Sequence, residues 1–216
     1  IEQQEPTISN LEISGGDVWT KEKSITATCS DSDLYNKKLY YSIGIDKFAD
    51  EQIVENADQL DGLSSFDANT PFTIPGDSDI EEEIWYIYAI DRAGHITKEE
   101  VNVSLIDRTE PTVTLNQSTN WDGTVYWKNS EDLIISINVT DSSSGFDTNT
   151  AKVTLTKGGE QQGTDTNLTL ADDKMSMTGD LTITTPGTYT LSATDAAGYT
   201  YTSASFEVKL DTGIPS

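Results

Sequence analysis

The strongest constraint on this chain is an internal repeat. Asp91-Arg-Ala-Gly94 and Asp195-Ala-Ala-Gly198 stand 104 residues apart, as do Asp107 and Asp211, and Pro111 and Pro215. Ahead of each Asp-x-Ala-Gly runs an alternating segment, Trp85-x-Ile87-x-Ala89 in the first copy and Tyr189-x-Leu191-x-Ala193 in the second. The early parts match more loosely. Trp19 followed by Ile25-x-Ala27-x-Cys29-x-Asp31 answers Trp127 followed by Ile135-x-Ile137-x-Val139-x-Asp141, at an offset of 108 to 110, so loop insertions intervene. A long fixed period reduces the fold question to what one copy of about a hundred residues can become.

Within each copy, short period-2 runs are separated by Gly, Asn, Asp and Pro, the pattern of antiparallel strands with one buried face. In the first copy the runs lie near 7–13, 24–30, 38–45, 71–74, 84–91 and 96–106. In the second they lie near 112–116, 133–140, 151–157, 167–171, 174–184, 187–195 and 199–210. About seven strands per hundred residues is what an immunoglobulin-like sandwich requires. The expected fold is therefore all-β, two tandem immunoglobulin-like β-sandwich domains spanning 1–108 and 109–216. The first carries an insertion at about 46–83. Within it, Ile53, Val54, Ala57 and Leu60 have helical spacing, and one short helix is expected over 49–60.

Composition removes several function classes. Of 216 residues, 13 are Lys or Arg and 37 are Asp or Glu, for a net charge of -24. Such a surface offers nucleic acid no counterion-releasing basic face and is repelled by anionic membranes. The charge is shared unevenly: 8 basic against 23 acidic residues up to Arg108, and 5 against 14 after it. No stretch approaches the roughly 18 apolar residues of a membrane helix. The acidic opening at Ile1 is unlike a signal peptide, and the chain reads as a piece of a longer protein. A single Cys excludes a disulfide within the chain. Cys29 alternates with Ile25 and Ala27, which points its thiol into the core as a small hydrophobe. His95, the one histidine, sits in a turn, and pairing it with Cys29 as base and nucleophile is disfavoured by these placements. Paired carboxylates of glycosidase type need an apolar cleft that a sandwich of this size does not obviously provide. An enzyme is not expected.

Asp107-Arg-Thr-Glu-Pro-Thr112 at the junction, Asp141-Ser-Ser-Ser-Gly145 after the second strand of the second copy, and the two Asp-x-Ala-Gly turns resemble bacterial Ig-like domains. These occur in tandem along cell-surface proteins and adhesins, chiefly of Gram-positive bacteria. The resemblance spans nearly the whole chain. It implies an extracellular, wall-anchored or secreted stalk that projects an adhesive or catalytic module, with neighbouring Ig-like domains as partners. The alternative is a binding module for a host protein or glycan, with the 46–83 insertion as contact region. The first copy departs at Asp31-Ser-Asp33-Leu34, which lacks the Ser-Gly of the second, and at His95, where such domains often have Asn.

In such a sandwich the loop after the second strand and the turn before the last strand lie at the end where the chain enters. Asp107 and Glu110 are therefore expected to meet Asp141, Asp147 and Asp195, and converging carboxylates favour a hard cation, making these five candidate interdomain calcium ligands. Asp31, Asp33 and Asp91 repeat the arrangement more weakly at the free end of the first copy, beside Glu5. The competing reading is that these aspartates cap backbone N–H groups in their own turns. Trp85 and Tyr189 open the sixth strands, where corner packing is expected. Trp121, in Asn120-Trp-Asp-Gly123, is the candidate sugar-stacking residue, with Tyr126 and Trp127 nearby.

Overall fold

The computed structural model describes residues 4–49, 53–116, 120–129, 131–162 and 166–213. The chain divides into two compact units, Ile1–Asp107 and Arg108–Ser216. Among the described residues no helix is long and apolar enough to cross a membrane.

Among its described residues the first unit has seven strands: β1 (Ile8–Ile13), β2 (Ser24–Cys29), β3 (Leu34–Ile43), β4 (Ser64–Asp67), β5 (Phe72–Thr73), β6 (Ile80–Asp91) and β7 (Ile96–Ile106). They form a three-stranded sheet, β1-β2-β5, and a four-stranded sheet, β4-β3-β6-β7, with every pair antiparallel. Alternation has its expected effect in β2: Ile25, Ala27 and Cys29 are buried while Ser24, Thr26 and Thr28 are less so. They pack against Leu39, Trp85, Ile87, Ala89 and Val103 of the facing sheet. Tyr41 stacks on Trp85 with ring centroids 4.7 Å apart. In β3 the register slips between Leu34 and Leu39, where Asn36 and Lys37 both take positive φ and form a bulge.

β6 breaks the alternation. Tyr88 and Ile90, which point away from the sandwich core, are buried as well. The cause is the segment leading from β3 to β4, which lies over the outer face of the four-stranded sheet and closes a second small core of Phe48, Tyr40, Tyr88 and Ile90. Phe48 meets Tyr88 edge-on at 5.0 Å. The Lys47 N–H donates to the Tyr88 hydroxyl, which donates to Asp46 Oδ1, and the Lys98 ammonium pairs with Asp46 Oδ2. Farther on, the Val54 N–H donates to the Gly94 carbonyl (2.7 Å) and Ile53 bridges His95.

The expected insertion and helix are thus corrected. β4 and β5 fall within 46–83 and belong to the sandwich itself, so only the stretch before β4 is extra. Residues 50–52 of the expected helix lie outside the described residues. Its remainder forms one 3₁₀ turn, Ala57–Leu60, held by the Asn56 and Gln59 side chains. Ile53, an anchor of the helical pattern, is exposed.

The second unit contains β8 (Thr112–Leu115), β9 (Val125–Lys128), β10 (Leu133–Thr140), β11 (Lys152–Lys157), β12 (Glu160–Gln161), β13 (Thr166–Asn167), β14 (Thr169–Leu170), β15 (Ser176–Ile183), β16 (Gly187–Thr194), β17 (Thr200–Thr202) and β18 (Phe206–Leu210). One sheet runs β14-β15-β10-β8. The other runs β12-β11-β16-β18-β9, with β13 also on β11 and β17 on β16. β10 is buried at every second residue, and Ile135, Ile137 and Val139, beside Met177 and Leu181 of the neighbouring β15, pack with Leu191 and Ala193 of the other sheet in a single core. β11 and β12 are joined by Gly158-Gly159, both at positive φ, as a two-residue hairpin turn demands. The hydroxyl of Tyr189 donates to the Thr185 carbonyl four residues upstream (2.6 Å), a tyrosine-corner bond. Trp85, by contrast, donates its indole N–H to Glu83 on its own strand.

The two units are not identical copies. The fourth strand of the first, β4, pairs with β3, whereas β14 of the second pairs with β15 in the opposite sheet. β9 runs parallel to β18 along its free edge; in the first unit the corresponding cover is the single bridge from Thr20 to Ile106.

Candidate functional site

The repeated Asp-x-Ala-Gly closes a turn in the same way twice. The His95 N–H donates to Asp91 Oδ1, and the Tyr199 N–H donates to Asp195 Oδ1, both at 2.8 Å. Gly94 and Gly198 occupy the left-handed region at φ 91° and 92°. Asp141 acts similarly in its loop, where Oδ1 accepts the N–H groups of Ser143 (3.0 Å) and Gly145 (2.7 Å). The Ala196 N–H then donates to the Gly145 carbonyl, and the Ala197 N–H to the Ser144 hydroxyl, so the 141–145 loop is sewn to the 195–198 turn.

This stitching places Asp141 and Asp195 side by side, and with them Asp107, which precedes the second unit by one residue. All three are buried, and one carboxylate oxygen from each lies within 4.8 Å of the others. The donor set is oxygen only, which suits a hard cation such as calcium and not zinc or copper. The Oδ1 bonds to backbone N–H fix the planes of two of the three carboxylates before any ion arrives. Three of the five candidates are thereby brought together. Glu110 is exposed and lines a surface cleft that also includes Asp141 and Asp173. Asp147 is exposed and spends Oδ1 on the N–H groups of Asn149 and Thr150, in the capping role.

In the first unit the weaker set does not assemble. Asp33 is exposed, and its N–H donates to Asp31 Oδ1, an Asx turn. Asp91 is buried with Oδ2 only 2.7 Å from His95 Nδ1. The imidazole thus stands where, in the second unit, Asp195 faces other carboxylates. Cys29 is a buried free thiol whose N–H donates to the Asn69 side chain.

Trp121 is half-buried against Tyr126, ring centroids 4.6 Å apart, and packs on the core of the second unit. The tryptophan that faces solvent is Trp127, which the sequence reading named only as the match to Trp19 in the repeat and as a neighbour of Trp121. Its indole N–H donates to Asp122 Oδ2 (2.7 Å), while Asp122 Oδ1 accepts the N–H groups of Thr124 and Val125. The bond from Trp127, followed by those two amides, holds the Asp122 carboxyl below its ordinary range. Beside the covering segment of the first unit lies a small cleft of ≈ 170 Å³ lined by Tyr35, Val54, Asn56, Leu60 and Arg92 among others.

No family model and no curated protein matches the chain. Solved structures do. It is similar to the fibronectin(III)-like modules of Clostridium thermocellum CbhA, at 18% identity over 94% of this chain and 93% of that one, with a TM-score of 0.34. It is also similar to a 1.5-MDa bacterial ice-binding adhesin (15% identity, 98% and 67% coverage, TM-score 0.34). A third is a Ca2+-stabilised adhesin of an Antarctic bacterium (16% identity, 95% and 49% coverage, TM-score 0.33). These three structures are fibronectin III-like modules and bacterial adhesins.

Proposed function

We propose that this chain is a non-catalytic spacer of a bacterial surface or secreted protein, projecting an adhesive or catalytic module outward. One observation carries the reading: each unit has a complete sandwich with its own core, and only residues 107–111 separate β7 from β8. A stalk is extended by repeating such units, and a net charge of -24 keeps neighbouring stalks soluble and mutually repelling. The test is to display a fixed reporter on cells through zero, one, two or three copies of the tandem. Capture of a bulky ligand should rise with copy number; capture independent of copy number would overturn the reading.

The finer part of the proposal is a calcium ion held by Asp107, Asp141 and Asp195. Each ionised carboxylate pair at such a separation costs roughly 3 to 4 kcal/mol at an effective dielectric near 20, and a divalent cation turns that repulsion into attraction. Equilibrium dialysis with calcium should find one tight site per chain, lost in Asp141→Asn and kept in Asp147→Asn. Equal binding by the two variants would remove the site.

A further inference from the structure

Going beyond the spacer reading, we infer that the outer face of the larger sheet of the second unit binds a neutral, linear polysaccharide. Two independent observations meet on this face. The first is Trp127. Its strand partner is Lys209, so the two side chains share the outer face with Glu207, two residues along β18. The indole is exposed and anchored through its N–H to a carboxylate that is itself held by two backbone amides. The ring is therefore preset, with the Lys209 ammonium over it 5.9 Å from its centroid, and little side-chain entropy remains to be lost on binding.

The second is the surface beside it. Thr154 pairs with Ser192, and Ser192 in turn with Thr202; Thr156 pairs with Thr190; Thr194 completes the outward row of β16. These hydroxyls repeat about 4.8 Å across the strands and about 6.7 Å along them. Each can donate and accept, and each threonine adds a methyl. No outward residue of β16 or β17 is charged, although the chain carries 37 acidic residues. Lys152 stands at one corner, and the Glu207–Lys209 ion pair (3.2 Å), whose charges offset each other, lies on β18 between this row and Trp127. An aromatic ring at one end, a self-neutralised ion pair beside it and beyond that an uncharged field of alternating hydroxyls and methyls complement the C–H faces and hydroxyls of a neutral sugar chain. A polyanionic chain would gain nothing from the hydroxyl field and would be repelled by the rest of the surface.

Affinity electrophoresis of the whole chain through gels containing hydroxyethyl cellulose, xylan, galactomannan or polygalacturonate tests this. At least one neutral polymer should retard the protein, and polygalacturonate should not. Trp127→Ala should weaken the retardation at least tenfold and Trp127→Phe less. Thr190→Glu, which sets a charge in the middle of the face, should weaken it too, while Trp121→Ala, a core contact, should not. Melting curves confirm that each variant is folded. Retardation by none of the neutral polymers, or retardation unchanged in Trp127→Ala, would overturn the inference. The reporter-display result stands or falls separately, because it needs no glycan.

Discussion

Asp91 and Asp195 show how one residue position can be read correctly and still hide its chemistry. Both were legible as turn residues, because Asp followed three residues later by Gly needs an acceptor for a backbone N–H and a left-handed position. What else each carboxylate meets lies outside its turn: the convergence of Asp195 with Asp107 and Asp141 was expected from the sandwich topology, whereas the pairing of Asp91 with His95 was not legible. Gly94 carries a further demand: a Cβ there would overlap the Val54 carbonyl, whereas a Cβ at Gly62, also at positive φ, meets nothing within 4 Å. Gly94→Ala should therefore destabilise the first unit by about 2 to 3 kcal/mol and Gly62→Ala by about 1, measured by urea unfolding. Equal effects would mean that the close approach of Val54 is not maintained. Tyr189→Phe should cost about 1 kcal/mol through loss of the corner bond to Thr185. At the aromatic positions alternation failed to discriminate. Trp121 and Trp127 flank the buried Tyr126, and only the pairing of β9 with β18 decides which ring is left outside.

Strands with clean alternation, such as β2, β10 and β16, were readable within a residue or two. β4 was missed because Ser64-Ser-Phe-Asp67 offers one apolar residue, and β9 because Val125, Tyr126 and Lys128 are all buried around Trp127. The segment between β3 and β4 misled for another reason. Its apolar residues serve a local contact with Tyr88 and Gly94 instead of a helix face, a tertiary demand that periodicity cannot express. That contact is titratable. Burial acts to raise the Asp46 carboxyl, but the Lys98 ammonium, the Phe48 amide and the Tyr88 hydroxyl outweigh it, and the net shift is downward. A carboxyl whose folded value is depressed adds stability above its unfolded value, near 4, and loses it as pH falls through the folded value. Hydrogen-exchange protection of the Phe48 and Val54 amides, corrected for intrinsic rate, should be intact at pH 6 and reduced below pH 4. In Asp46→Asn it should be low at both; protection independent of pH in the natural chain would contradict this.

At the scale of the whole molecule, the two main cores share no residue, one lying wholly within each unit. Ile87→Ala should lower the unfolding transition of the first unit and Leu181→Ala that of the second, each by roughly 2 to 5 kcal/mol, with little effect on the other transition. The repeat and the all-β class were open to inspection because periodicity and turn chemistry are local properties. The exchange of the fourth strand between sheets was not, because it depends on which neighbour a short, weakly patterned strand meets. The acidic charge, read from composition as an exclusion of nucleic acid and anionic membranes, resolves into solvated surface, capping aspartates and one buried trio. Differential scanning calorimetry of the whole chain, in 1 mM calcium and in excess EDTA, tests that trio most directly. Calcium should raise the transition of the second unit by several degrees, leave that of the first in place, and have no effect on Asp141→Asn. Identical melting curves with and without calcium would contradict the account.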